Sequence, residues 1–203
     1  MARRAIPLKH IYPKDRRAMS VLAKSGACSK DSFNKLDISN NRIKSYQQAN
    51  LIKEVYVPDK HGTGGNTFYE LTAKGESFCR QECGIRHFIS NGHACTHNAK
   101  VAECLVSLTK REIDSAISER DIREEFLTER LQELLHENQR DEYEELTEAI
   151  KTQSLSMPDI IYKSEAGTYE ALEVVSDSYS KDEIQCKLDS CEIMGISVEI
   201  IHT

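Results

Sequence analysis

Apolar residues recur at helical spacing in three short runs along the first part of the chain. Met19, Leu22 and Ala23 mark one face of a helix over residues 15–24, and Gly26 is placed to stop it. Ser29 can cap a second helix, with Asp31 in its first turn and Phe33 and Leu36 turned inward. Ser39 can cap a third, SNNRIKSYQQANLI, in which Ile43 and Tyr46 lie three apart and point to the core. Asn50 stands where such a helix ends in a left-handed residue, and Asn ranks next to Gly there. The pattern then changes to two strand-like runs, KEVYV and NTFYEL. Between them lies PDKHGTGGN, whose glycines permit a tight tip. Thr72 caps a further helix through Gly75 and Phe78. Three helices and a Gly-rich hairpin predict a winged helix-turn-helix.

The second half has a different rhythm. A helix is expected over residues 97–108, with Val101, Cys104, Leu105 and Leu108 on one stripe. ISERDIREEF reads as a strand carrying Glu119. A long acidic helical stretch follows, lined by Leu127, Leu131, Leu134 and Leu135, with a break near Asn138 before Leu146, Ala149 and Ile150. PDIIYK and YEALEVVS, joined by a turn at Glu165, Ala166 and Gly167, read as an antiparallel hairpin of half-buried strands. Ser180 begins a helix with Ile184, Leu188 and Cys191 on one face, and Gly195 ends it. ISVEII is apolar enough for a central last strand. This helix, strand, strand, strand, helix, strand sequence is the core order of restriction-endonuclease-like folds. The expected class is therefore α+β, an N-terminal winged helix-turn-helix followed by a small restriction-endonuclease-like α/β domain. The boundaries fall at residues 1–84 and 85–203, with an acidic helical insertion at about 124–151.

Charge sharpens the picture because it is unevenly divided. The chain of 203 residues has a formal net charge of -6, yet residues 1–54 carry twelve Lys and Arg against four Asp and Glu. Residues 119–150 carry twelve Asp and Glu against four Arg. A basic front suits a polyanion, and an acidic helix suits solvent or a surface that keeps DNA away. No run of apolar residues is long enough to span a membrane. The start, MARRAIPLKHIYPKDRR, lacks the apolar core of a secretory signal. Seven scattered cysteines point to a reducing cytoplasm and not to a disulfide framework.

Candidate chemistry lies in three places. The outward face of the third helix offers Asn41, Arg42, Lys44, Ser45 and Gln48, types that hydrogen-bond base edges or phosphates in the major groove of double-stranded DNA. Lys60 and His61 on the hairpin tip could touch the backbone. Between the halves lie Cys79, Cys83, His87, His93, Cys95, His97 and Cys104, but their spacings match no familiar zinc finger or ribbon, which favours cysteines buried at helix contacts. In the back half, Pro158-Asp159 and Glu173 match the two acids of the PD-(D/E)XK nuclease pattern, which hold a hard cation such as Mg²⁺. Glu119 is the candidate third metal ligand. The expected lysine position holds Val175, so the charge would come from the following helix, from Lys181 or Lys187.

Several steps together resemble the replication-relaxation family of plasmids and other bacterial mobile elements. They are ANLI after the third helix, YELTAKG at the hairpin exit, GHACTHNAKVAECLVSL, Ser118-Glu119, Pro158-Asp159 and LEVV. The resemblance covers most of the chain, although its acidic stretch is longer than the family's usual connection. It implies a winged helix paired with a nuclease-like domain, acting in replication or transfer of mobile DNA, with a homodimer or a replication or transfer protein as partner. Three functions follow as expectations. The first is a DNA-binding accessory or regulatory factor whose nuclease-like domain serves assembly. The second is a metal-dependent nuclease or nickase using Asp159 and Glu173. The third is an interaction module that binds a host factor through the acidic helices.

Overall fold

Each half of the chain builds a small sheet covered by helices, an α+β architecture with two sheets. The computed structural model describes residues 8–59, 64–89 and 94–202. It separates into two compact units, Met1–Asp114 and Ser115–Thr203. The sequence placed the boundary after residue 84. The first unit runs further because the later helix 95–105 supplies Cys95 and Ala99 to an apolar cluster with Ala27 and Phe68.

In the first unit α1 (Pro13–Ser25) starts with Pro13 at its first position and Asp15 taking the Tyr12 N–H at 2.7 Å. Gly26, with φ +86°, ends it by donating its N–H to Leu22 O. The two-residue strand β1 (Cys28–Ser29) follows, too short to leave a periodic signal. Ser29 Oγ accepts the Ser32 N–H to cap α2 (Lys30–Lys35), and Ser39 Oγ accepts the Arg42 N–H to cap α3 (Asn40–Gln48). Asn50 takes the left-handed conformation, φ +58°, as its position predicts. The strands β2 (Ile52–Pro58) and β3 (Gly65–Leu71) pair antiparallel from Ile52 opposite Leu71 to Pro58 opposite Gly65, and β1 joins the far side of β3.

The YELTAKG exit of the hairpin closes the end of α3. Thr72 Oγ1 donates to Asn50 O at 2.5 Å, and Lys74 Nζ donates to Ala49 O at 2.8 Å, which satisfies carbonyls that a helix end leaves open. Thr72 also caps α4 (Ala73–Phe78). Gly75 is required there, because a Cβ would lie 2.0 Å from Leu51 O. A π-helical turn, Cys79–Cys83, ends at Gly84 with φ +70°. Cys79 and Cys83 donate to the Met19 and Arg16 carbonyls of α1. The helices α5 (Cys95–Leu105) and α6 (Lys110–Ser115) follow.

The second sheet has the order β4-β5-β6-β7. Its first strand, β4 (Ile117–Ser118), is two residues long. ISERDIREEF therefore does not form the expected strand. Ser118 and Asp121 make a capping box that starts α7 (Glu119–Asp121), and a π-helical turn, Ile122–Phe126, leads into α8 (Leu127–His136). Ile122 and Phe126, four apart, are both buried, so helical spacing prevails over strand alternation. Asn138, at φ +60°, breaks the stretch before α9 (Arg140–Lys151). The hairpin forms as expected from β5 (Ile160–Lys163) and β6 (Tyr169–Val175), antiparallel, with Gly167 at φ +86° in the turn. Ser180 and Glu183 form the capping box of α10 (Lys181–Ile193). The last strand, β7 (Ser197–His202), runs parallel to β6 at the sheet edge and not at its centre, with its residues alternating between exposed and half-buried. Val198 and Ile200 share one face, and Ile201 is half-buried on the other. The core of this unit gathers Ile122, Phe126, Leu134, Leu146, Ile161 and Met194.

Candidate nucleic-acid interface and acidic pair

Helix α3 turns Ile43 and Tyr46 into the core of the first unit and leaves Asn41, Lys44 and Gln48 exposed. Among the described residues these three side chains make no hydrogen bond or ion pair. Ser45 is half-buried, and its hydroxyl donates to Asn41 O at 2.9 Å. On the flank nearest the hairpin, Gln47 Nε2 donates to Glu54 at 3.1 Å. An open cleft of about 240 Å³ lies there, lined by Lys30, Lys44, Gln47, Glu54 and Tyr69 among others.

Arg42 departs from the expected outward reading. Its guanidinium turns back onto Asp15, with Nε 2.9 Å from Oδ1 and Nη2 2.5 Å from Oδ2, and Nη2 also donates to His10 O. It lies over the rings of Tyr12 and Tyr46, 5.6 and 5.5 Å from their centroids. Tyr46 completes the cluster by donating its hydroxyl to Asp15 at 2.6 Å. Asp15 has no exposed surface. Burial raises its pKa, but hydrogen bonds from Arg42, the Tyr12 N–H and Tyr46 outweigh that and hold the carboxyl below its usual range. A buried acid on α1 thus withdraws the Arg42 fork from solvent, a pairing between distant residues that helical periodicity cannot reveal. Lys60 and His61 lie outside the described residues.

In the second unit Asp159 sits one residue before β5 and Glu173 lies within β6. They interlock through the backbone. The Asp159 N–H donates to Glu173 Oε2 at 3.0 Å, and the Val174 N–H donates to Asp159 Oδ2 at 2.9 Å. Glu173 has no exposed surface. Its Oε1 stands 3.0 Å from Lys187 Nζ, an ion pair without the alignment of a hydrogen bond. Lys187 Nζ also donates to Met157 O at 2.5 Å. Burial and the neighbouring Asp159 charge push the Glu173 carboxyl up to about 7, against the opposing pull of Lys187.

Two of the expected ligands, Asp159 and Glu173, therefore meet. Glu119 joins through its backbone alone, its N–H donating to Asp159 O at 3.1 Å, while its carboxylate pairs with Arg123 on the same helical turn. The lysine at the acids is Lys187, two turns into α10. Lys181, at the exposed start of α10, makes no ion pair with either acid among the described residues. The helical period explains the choice: Lys187 shares the half-buried face with Ile184, Leu188 and Cys191. No three His, Cys, Asp or Glu side chains converge as a metal site among the described residues. In this geometry the acids do not suit a hard divalent cation. Glu173 is sealed from solvent, one of its oxygens faces an ammonium, and each acid already accepts a backbone N–H.

No family model, curated protein or solved structure matches the chain. No described helix is long and apolar enough to cross a membrane.

Proposed function

We propose that the chain is a DNA-binding accessory or regulatory protein of a mobile genetic element, acting in replication, transfer or transcription control. In this reading the first unit is a winged helix-turn-helix that carries α3 into the major groove of double-stranded DNA, with the β2–β3 hairpin as its wing. The observation that carries it is the exposed stripe Asn41, Lys44 and Gln48 on a helix whose opposite face is fixed in the core. The excess of Lys and Arg over residues 1–54 supports an electrostatic footprint on phosphates. The resemblance to the replication-relaxation family supports the mobile-element setting, with a second copy of the chain or a replication or transfer protein as partner.

The second unit is read as a nuclease-like core whose acids have become structural. The strand order, the parallel β6–β7 pair and the adjacency of Asp159 and Glu173 support the nuclease-like part. The sealed Glu173 and its Lys187 ion pair support the structural role. Anisotropy titration of labelled duplex DNA at several salt concentrations tests this function. Binding that weakens steeply with salt supports it, and no binding at low salt rejects it. A second reading, a metal-dependent DNA nuclease, is favoured by the Asp159, Glu173 and Lys187 grouping. It requires Glu173 to leave its buried position, and nicking of plasmid DNA that depends on Mg²⁺ or Mn²⁺ would establish it.

A further inference from the structure

The residues that α3 keeps for itself are as informative as those it presents. Arg is the side chain best shaped to grip guanine O6 and N7, and the only Arg on α3 is held by Asp15, Tyr46 and His10 O. Gln47 is held by Glu54, and the Ser45 hydroxyl donates its hydrogen bond to Asn41 O. Three amides of α3, Asn40, Asn41 and Gln48, remain exposed, and of these Asn41 and Gln48, seven residues apart, lie nearly one above the other on the stripe that Lys44 borders. An amide side chain pairs a donor with an acceptor in one plane, the complement of adenine N7 and N6–H in the major groove. Lys44 offers a single compact charge, suited to a phosphate. Residues 41 and 48 stand two helical turns apart, about 10 Å along the axis, which spans about three base-pair steps of a duplex.

Resting on the DNA-binding reading above, we infer that α3 selects duplexes that present two adenines about three base pairs apart in the major groove, with Asn41 reading one and Gln48 the other. The pinned Arg42 plays no part in base readout, and Lys44 contributes affinity without base preference.

Selection of tight binders from a pool of randomised duplexes by the full chain tests this, followed by anisotropy on the selected duplex and on copies with single A·T to G·C changes. The expected result is enrichment of two adenines at that spacing, each change weakening wild-type binding roughly tenfold. Asn41→Ala then loses the preference at one position and Gln48→Ala at the other, and both variants melt as the wild type does. Salt-sensitive binding with no enriched base, or a guanine preference that Lys44→Ala removes, overturns the inference while leaving the DNA-binding function standing. Failure to retain any duplex overturns both.

Discussion

Arg42 on α3 grips both carboxylate oxygens of Asp15 on α1, and the Tyr46 hydroxyl shares the same acid. One buried charge thereby fixes the roll of α3 against α1, which decides which residues of α3 face outward. Removing Arg42 leaves the Asp15 charge buried with no counter-charge, held only by the Tyr46 hydroxyl and the Tyr12 N–H. Arg42→Ala is expected to cost about 3–5 kcal/mol of stability. Arg42→Lys recovers only a minor part, because an ammonium cannot span two oxygens and two rings at once. Urea denaturation of the two variants measures both values. A loss of DNA binding in Arg42→Ala would thus report unfolding, not a missing base contact.

Lys44 is exposed and outside the clamp, so its loss leaves the fold intact. Lys44→Ala is expected to change stability by less than about 0.5 kcal/mol. It should also reduce the slope of log affinity against log salt by about 1. A salt series of binding isotherms for wild type and variant measures the difference.

Glu173 makes stability depend on pH in the direction opposite to most acids. Its folded-state pKa, raised from 4.5 to about 7, means that the folded protein holds a proton that the unfolded chain has released. Its contribution is therefore fully present below pH 4.5 and is lost as pH rises to about 7, by up to roughly 3 kcal/mol. The Asp15 carboxyl, lowered below its ordinary 3.8, acts the other way, and its contribution is lost as pH falls through that lowered pKa. Glu173→Gln should flatten the decline between pH 4.5 and 7, as read from urea midpoints across that range.

Lys187 and Lys181 separate cleanly. Lys187→Met removes the only side-chain cation within 4 Å of the Glu173 carboxyl among the described residues, which raises the folded-state pKa further. The decline in stability with pH should then continue above pH 7, with the variant weakest in alkaline buffer. Lys181→Met, at an exposed helix start, should track the wild type within about 0.5 kcal/mol at every pH. Thermal melts of both variants from pH 5 to pH 9 distinguish them.

Caps and left-handed positions were the most legible part of the fold. Ser29, Ser39, Thr72 and Ser180 start helices, and Gly26, Asn50, Asn138 and Gly195 take positive φ at or near helix ends, because each choice is made by a few neighbouring atoms. The Asp159–Glu173 meeting was legible too, since both lie on one predicted hairpin. Longer-range decisions were hidden. Nothing local tells that Arg42 faces Asp15, 27 residues away, or that the helix from Cys95 belongs to the first unit. The strand expected around Glu119 failed because Ile117 and Ser118 alone pair with β5 while Ile122 and Phe126 obey a helical period. β7 was misplaced for a related reason: an apolar run resembles a central strand even where parallel pairing on one side leaves it at the edge.

The proposed function requires the chain to bind duplex DNA without cutting it. Supercoiled plasmid incubated with the pure protein in EDTA, Mg²⁺ or Mn²⁺, beside an Asp159→Ala control, tests this directly on one gel. Retarded, uncut plasmid is expected in every lane, with the control indistinguishable from wild type. Metal-dependent nicking that Asp159→Ala abolishes, or plasmid that migrates freely in all lanes, would contradict it.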